Sequence, residues 1–112
     1  MYFIVEDDAS VADALESLLS GAGLPVRVFA SAEELIHSAS LKPEDTMIVD
    51  LGLPGMSGSE LVRHLEKAGA TPRVIAISGK SSRTIARETE GLSDLKILRK
   101  PPAADWLEAI TA

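Results

Sequence analysis

The chain has 112 residues, 46% apolar and 25% charged, a balance that implies one globular domain able to bury roughly two-thirds of its unfolded surface without disulfides or a structural metal. It contains no cysteine and only two histidines, His37 and His64, which excludes thiolate catalysis, iron–sulfur ligation and cysteine-based zinc sites. The 17 acids outnumber the 11 bases for a net charge of −6, and the bases are scattered, so direct binding of nucleic acid is not expected. Asparagine and glutamine are absent, so any polar site must be built from carboxylates, hydroxyls, Lys, Arg and backbone. No apolar run is long enough to span a bilayer, so no membrane partner is expected. Met1 leads into Tyr2-Phe3-Ile4-Val5 without a basic leader, and the expected location is cytoplasmic.

Short β-branched runs alternate with amphipathic stretches of about a dozen residues, the pattern of βα units on a parallel sheet. A first strand at Tyr2–Val5 ends in Glu6-Asp7-Asp8 and leads to a helix near 10–21, with Ser10-Val-Ala-Asp13 at its start and Gly21 and Gly23 at its end. Leu15, Leu18 and Leu19 give that helix an apolar stripe. After Leu24-Pro25 comes a strand at Val26–Phe29 and a helix near 31–39, opened by Ser31-Ala-Glu-Glu34. The third strand, Met47–Asp50, precedes a helix near 57–68 that begins with Ser57-Gly-Ser-Glu60 and carries Leu61 and Leu65 on one face. A fourth strand at Val74–Ser78 and a helix near 82–90 follow. A fifth strand at Lys96–Leu98 and a helix near 103–111 end the chain, with Trp106 expected to pack that helix on the sheet. The prolines fall between elements, where they harm no ladder.

In an open α/β sheet the carboxyl ends of the strands form the functional crevice. Here those ends carry Glu6-Asp7-Asp8, Asp50, Ser78-Gly79-Lys80 and Lys100-Pro101. If the first and third strands are neighbours, their carboxylates lie within one or two interstrand spacings of about 4.8 Å and repel. A hard divalent cation held by oxygens, Mg²⁺ before Ca²⁺, would neutralise them. With a lysine and a hydroxyl beside it, such a site suits a carboxylate nucleophile that accepts a phosphoryl group. Gly79-Lys80-Ser81 is no phosphate-binding P-loop, because residue 74, where the upstream glycine belongs, is Val. His64 stands four residues after Glu60, as in an ordinary helical pair.

Along essentially its whole length the chain resembles the receiver domain of two-component response regulators. Glu6-Asp7 is similar to that family's acidic pair, and Asp50-Leu-Gly-Leu-Pro54-Gly-Met56-Ser-Gly58 to its phosphoacceptor motif. Ser78 stands at its Ser/Thr position, and Lys100-Pro101, 22 residues later, at its Lys-Pro. The resemblance implies a flavodoxin-like, five-stranded parallel sheet in the order 2-1-3-4-5 with helices on both faces. It implies that Asp50 takes a phosphoryl group from a sensor histidine kinase or phosphotransfer protein, and that Asp7, Asp50 and the Gly52 carbonyl bind Mg²⁺ with Glu6 acting mostly through water. Ser78 and Lys100 would then hold phosphoryl oxygens, and Lys100-Pro101 would be a cis bond. A downstream effector or output domain is implied as a partner, and the face formed by the fourth helix, fifth strand and fifth helix could support a homodimer.

Three features depart from the pattern. Ile97 stands where the family has a switch aromatic, Ser93-Asp94 replaces a Gly-Ala pair, and Pro102 replaces a Phe. All three fall on the output face. The alternative they motivate is a binding module whose output is independent of phosphorylation; a small-substrate phosphohydrolase would want an acid at Gly52. Gly52 and Lys80 flank the route by which water would reach a phosphorylated Asp50, which makes Lys80 a candidate for tuning its hydrolysis.

Overall fold

A computed structural model of the protein describes residues 1–69, 71–92 and 95–112. Among the described residues, five strands alternate with five helices: β1 (Tyr2–Val5), α1 (Ala9–Gly21), β2 (Val26–Phe29), α2 (Ala32–Ser38), β3 (Thr46–Asp50), α3 (Gly58–Lys67), β4 (Arg73–Ser78), α4 (Ser82–Glu88), β5 (Lys96–Arg99) and α5 (Trp106–Thr111). All strand pairs are parallel and the order is β2-β1-β3-β4-β5, as the sequence pattern and resemblance imply. Ser93-Asp94 lies outside the described residues.

Period-two alternation sorts the strand side chains to two faces. Phe3, Val5, Met47, Val49 and Val74 pack with Leu35 of α2 and Leu61, Val62 and Leu65 of α3. Ile4, Ile48, Ile75 and Ile77 pack on the other face with Leu15 and Leu19 of α1 and Trp106 and Ile110 of α5. Strands covered this way read as continuous apolar runs because both faces are dry. At the β2 edge the Arg27 guanidinium covers the Phe29 ring, 5.1 Å from its centroid, and places a charge on that edge.

Helix starts show where local chemistry overrides a sequence pattern. The N-cap of α1 is Asp8, whose carboxylate accepts from the Ser10 and Val11 amides and the Ser10 hydroxyl. Ser10, expected at the cap, instead lies within the first turn. Ser31 caps α2 as expected, but Glu34 accepts from Ala30 N–H rather than closing the box on Ser31. Ser57 and Glu60 do form the reciprocal box at α3, so Glu60 is committed to the cap and makes no ion pair with His64. Ser57→Ala is expected to lower unfolding free energy by about 1 kcal/mol in urea melts; an unchanged midpoint would contradict this capping role. The last helix starts at Trp106, later than expected, with no side-chain bond from Asp105 at its cap.

Candidate functional site

The strand register brings the chemistry together. Val5 pairs with Val49, and Asp50 pairs with Ile77, so the loops after β1, β3 and β4 leave the sheet side by side. Glu6, Asp7 and Asp50 offer carboxylate oxygens that all lie within 4.8 Å of one another. Glu6 and Asp50 are buried, and Asp7 is exposed at the rim. From the end of β5, the Lys100 ammonium lies 2.7 Å from Glu6 Oε1 and 3.2 Å from Asp50 Oδ2. The Lys100–Pro101 bond is cis, in agreement with the expectation.

Electrostatics follow from this crowding. Burial pushes the Glu6 carboxyl from 4.5 up to about 7; Lys100 opposes the rise and Asp50 reinforces it. Burial would lower the Lys100 ammonium, but its bonds and attraction to Glu6 and Asp50 outweigh that and hold it above its usual range. Lys100 contacts Glu6 Oε1 as an ion pair, and apart from that ammonium the buried oxygen has no hydrogen-bond partner among the described residues. One ammonium thus faces two buried carboxylates with a third at the rim. An orphaned buried oxygen beside an all-carboxylate donor set fits a hard, oxygen-seeking cation such as Mg²⁺.

The remaining site residues are ordered by backbone. Gly52 N–H donates to Asp50 Oδ1 at 3.1 Å, fixing the carboxylate against the loop that follows it. Ser78 is buried at the end of β4, where its hydroxyl oxygen accepts from Lys80 N–H at 3.0 Å and its own proton stays free to donate. Its carbonyl accepts from Lys100 N–H, tying β4 to the lysine loop. Gly58 is required by close approach: a Cβ there would press on the Asp50 carbonyl oxygen and come within 2.8 Å of Leu51 Cα.

Two of the candidate residues make no direct bond to Glu6, Asp7 or Asp50. The Lys80 ammonium pairs with Glu88 Oε2 on α4 at 3.1 Å. Ile97 packs with Leu51, Ala76 and Ile85 and lines a groove of about 370 Å³ with Ser82, Ala86, Thr89 and Arg99. Glu33 and Arg99 are contributors that sequence reasoning missed. Glu33 accepts from Met56 N–H at 2.9 Å, pinning the loop after Asp50 to α2, and that bond holds its carboxyl below the usual range. Arg99 reaches the Lys80 carbonyl and the Ser82 hydroxyl. No local pattern flags either residue, since their partners lie about 20 residues away in sequence.

Comparison with known proteins agrees with the geometry. The family model described as "Response regulator receiver domain" matches residues 2–112. The transcriptional regulatory protein FixJ of Azorhizobium caulinodans is 31% identical over 88% of this chain and 46% of its own length. TodT of Pseudomonas putida is 35% identical over 69% of this chain and 34% of its own length. The chain therefore spans about half, or less, of the length of these relatives. Among solved structures, FixJ-N superposes with a TM-score of 0.84 at 26% identity, covering 98% of this chain and 88% of that one. A CheY-like receiver domain from Methylobacillus flagellatus superposes at 0.81 with 30% identity, covering 98% and 93%. With the acidic crevice, the lysine and the loop after Asp50 all on one sheet end, the chain belongs to the response regulator receiver domain family of two-component systems.

Proposed function

We propose that Asp50 is a phosphoacceptor, charged by a phosphohistidine on a sensor histidine kinase or phosphotransfer protein. The observation that supports this most is the convergence of Glu6, Asp7 and Asp50 within 4.8 Å, with the Lys100 ammonium on two of them. An Asp50 carboxylate oxygen attacks phosphorus, the P–N bond to the donor imidazole breaks, and the imidazole leaves with that electron pair and takes up a proton. Mg²⁺ held by Asp7, Asp50 and the Gly52 carbonyl, with Glu6 acting through water, would offset charge on the carboxylates and the transferring oxygens. Lys100 supplies fixed positive charge to the same oxygens. Ser78 donates its free hydroxyl proton to one of them and moves toward it, which reshapes the face formed by α4, β5 and α5. An effector or output domain reads that face.

Phosphoryl uptake from a small acyl phosphate tests the reading. Intact mass is expected to show one added phosphoryl group in the presence of Mg²⁺ and none with a chelator. Uptake that persists undiminished after metal removal would contradict the role given to the acidic crevice.

A further inference from the structure

Lys80 is fixed along its backbone and exchangeable at its tip. Its N–H donates to Ser78 Oγ and its carbonyl accepts from the Arg99 guanidinium, so the residue itself is clamped at the end of β4. Its side chain runs beside Gly52. Lys80 Cε and Nζ lie 3.6 and 3.9 Å from the point where a Cβ on Gly52 would stand, and Asp50 Oδ1 is 3.7 Å from that same point, so the ammonium already borders the gap beside Asp50. The ammonium nevertheless ends on Glu88 Oε2, with 46% of the lysine side chain exposed. Glu88 Oε1 is buried without a hydrogen-bond partner among the described residues. The Glu88 carbonyl, by contrast, accepts from Arg63 of α3, so the backbone there is anchored independently of the ion pair.

We propose that Glu88 is a positioning residue that holds the Lys80 ammonium off Asp50 in the resting protein, and that phosphorylation of Asp50 draws it across to a phosphoryl oxygen. This rests on the phosphoacceptor reading and deepens it by naming a control element of the same site. A phosphoryl group carries more negative charge than a carboxylate, and an exposed ion pair is weak enough to be exchanged. Two consequences follow from the geometry. Lys80 at the phosphoryl group covers the opening that Gly52 leaves, through which water must come to bond phosphorus, break the bond to Asp50 oxygen and release inorganic phosphate with a regenerated carboxylate. Glu88 meanwhile loses its only cationic partner among the described residues while half-buried, and the last turn of α4 must shift to hydrate it. The state of Asp50 thus reaches α4 through a charge exchange, in a chain that has Ile97 in place of a switch aromatic.

The test is the lifetime of the phosphorylated chain after removal of donor, measured for the native protein, Glu88→Gln, Lys80→Met and the double variant. Freeing Lys80 by Glu88→Gln is expected to lengthen the half-life about threefold, the scale of one exposed ion pair. In the Lys80→Met background the same change is expected to have no effect. Glu88→Asp, which keeps the charge, is expected to stay near the native half-life. Hydrogen exchange supplies a second readout: amides of Ile85–Thr89 exchange faster on phosphorylation in the native chain and not in Lys80→Met. Normal uptake with an unchanged half-life in Glu88→Gln, or with equal effects of that change in both backgrounds, overturns the proposal alone. Failure of the native chain to take up phosphoryl overturns the phosphoacceptor reading and this proposal with it.

Discussion

Gly58→Ala is expected to destabilise the fold by about 3 kcal/mol, at the upper end for an inserted methyl group, because nothing soft surrounds the new atom. The three atoms nearest that Cβ would all be backbone: the Asp50 carbonyl oxygen, Leu51 Cα at 2.8 Å and the Asp50 carbonyl carbon at 2.9 Å. Side chains can rotate away from an intruder, but the end of β3 is held by ladder bonds and by Leu51 N–H on the Ile77 carbonyl. Relief therefore requires α3 to lift or the Asp50 peptide to turn. Turning the Asp50 peptide carries the carboxylate away from Lys100, and lifting α3 loosens the loop that follows it, so phosphoryl uptake should fall along with the urea midpoint. A Gly58→Ala protein with native stability would show that α3 does not bear on β3 as described.

Below pH 4.5, Glu6 is neutral in both the folded and the unfolded chain, and the neutral form is the one its buried position favours. Between pH 4.5 and about 7 the unfolded chain gives up the proton that burial makes the folded chain retain. Stability carried by the neutral form is therefore complete below the unfolded value and is lost as pH rises through the folded one, for about 3 kcal/mol across the window. Glu6→Gln is neutral throughout, so its stability profile in chelator should lack this decline and lie above the native profile at pH 8. Mg²⁺ binding to the ionised crevice should recover stability for the native chain at that pH. Parallel profiles for the two proteins from pH 4.5 to 8 would contradict the assignment of the strain to Glu6.

Strand identities were legible because each core strand is apolar on both faces: Met47, Ile48 and Val49 face alternate layers, and all are fully buried. The strand-end residues Glu6, Asp50, Ser78 and Lys100 were legible for a related reason. Polar groups that interrupt such runs at one end of a parallel sheet must converge on one crevice. Helix boundaries were less so. Asp8 and Ser10 both offer an oxygen at the start of α1, and the choice depends on how sharply the chain leaves β1. The structure places Asp8 at the cap because its amide is drawn back to Glu6 Oε2. Polar contacts outside that crevice were not legible. Arg73 and Lys96 both donate to carbonyls in the last turn of α5, and Glu88 receives Lys80; each needs the folded sheet to bring its partners within reach.

Of the three acids in the crevice, the Asp50 carboxylate is expected to be the one that accepts phosphoryl. Borohydride reduces an aspartyl phosphate to homoserine, so tandem mass spectrometry after Mg²⁺-dependent phosphorylation reads the acceptor position directly. Homoserine is expected at residue 50, absent with chelator and absent in Asp50→Asn. Homoserine at Asp7 or Asp8, or equal labelling of Asp50→Asn, would contradict it.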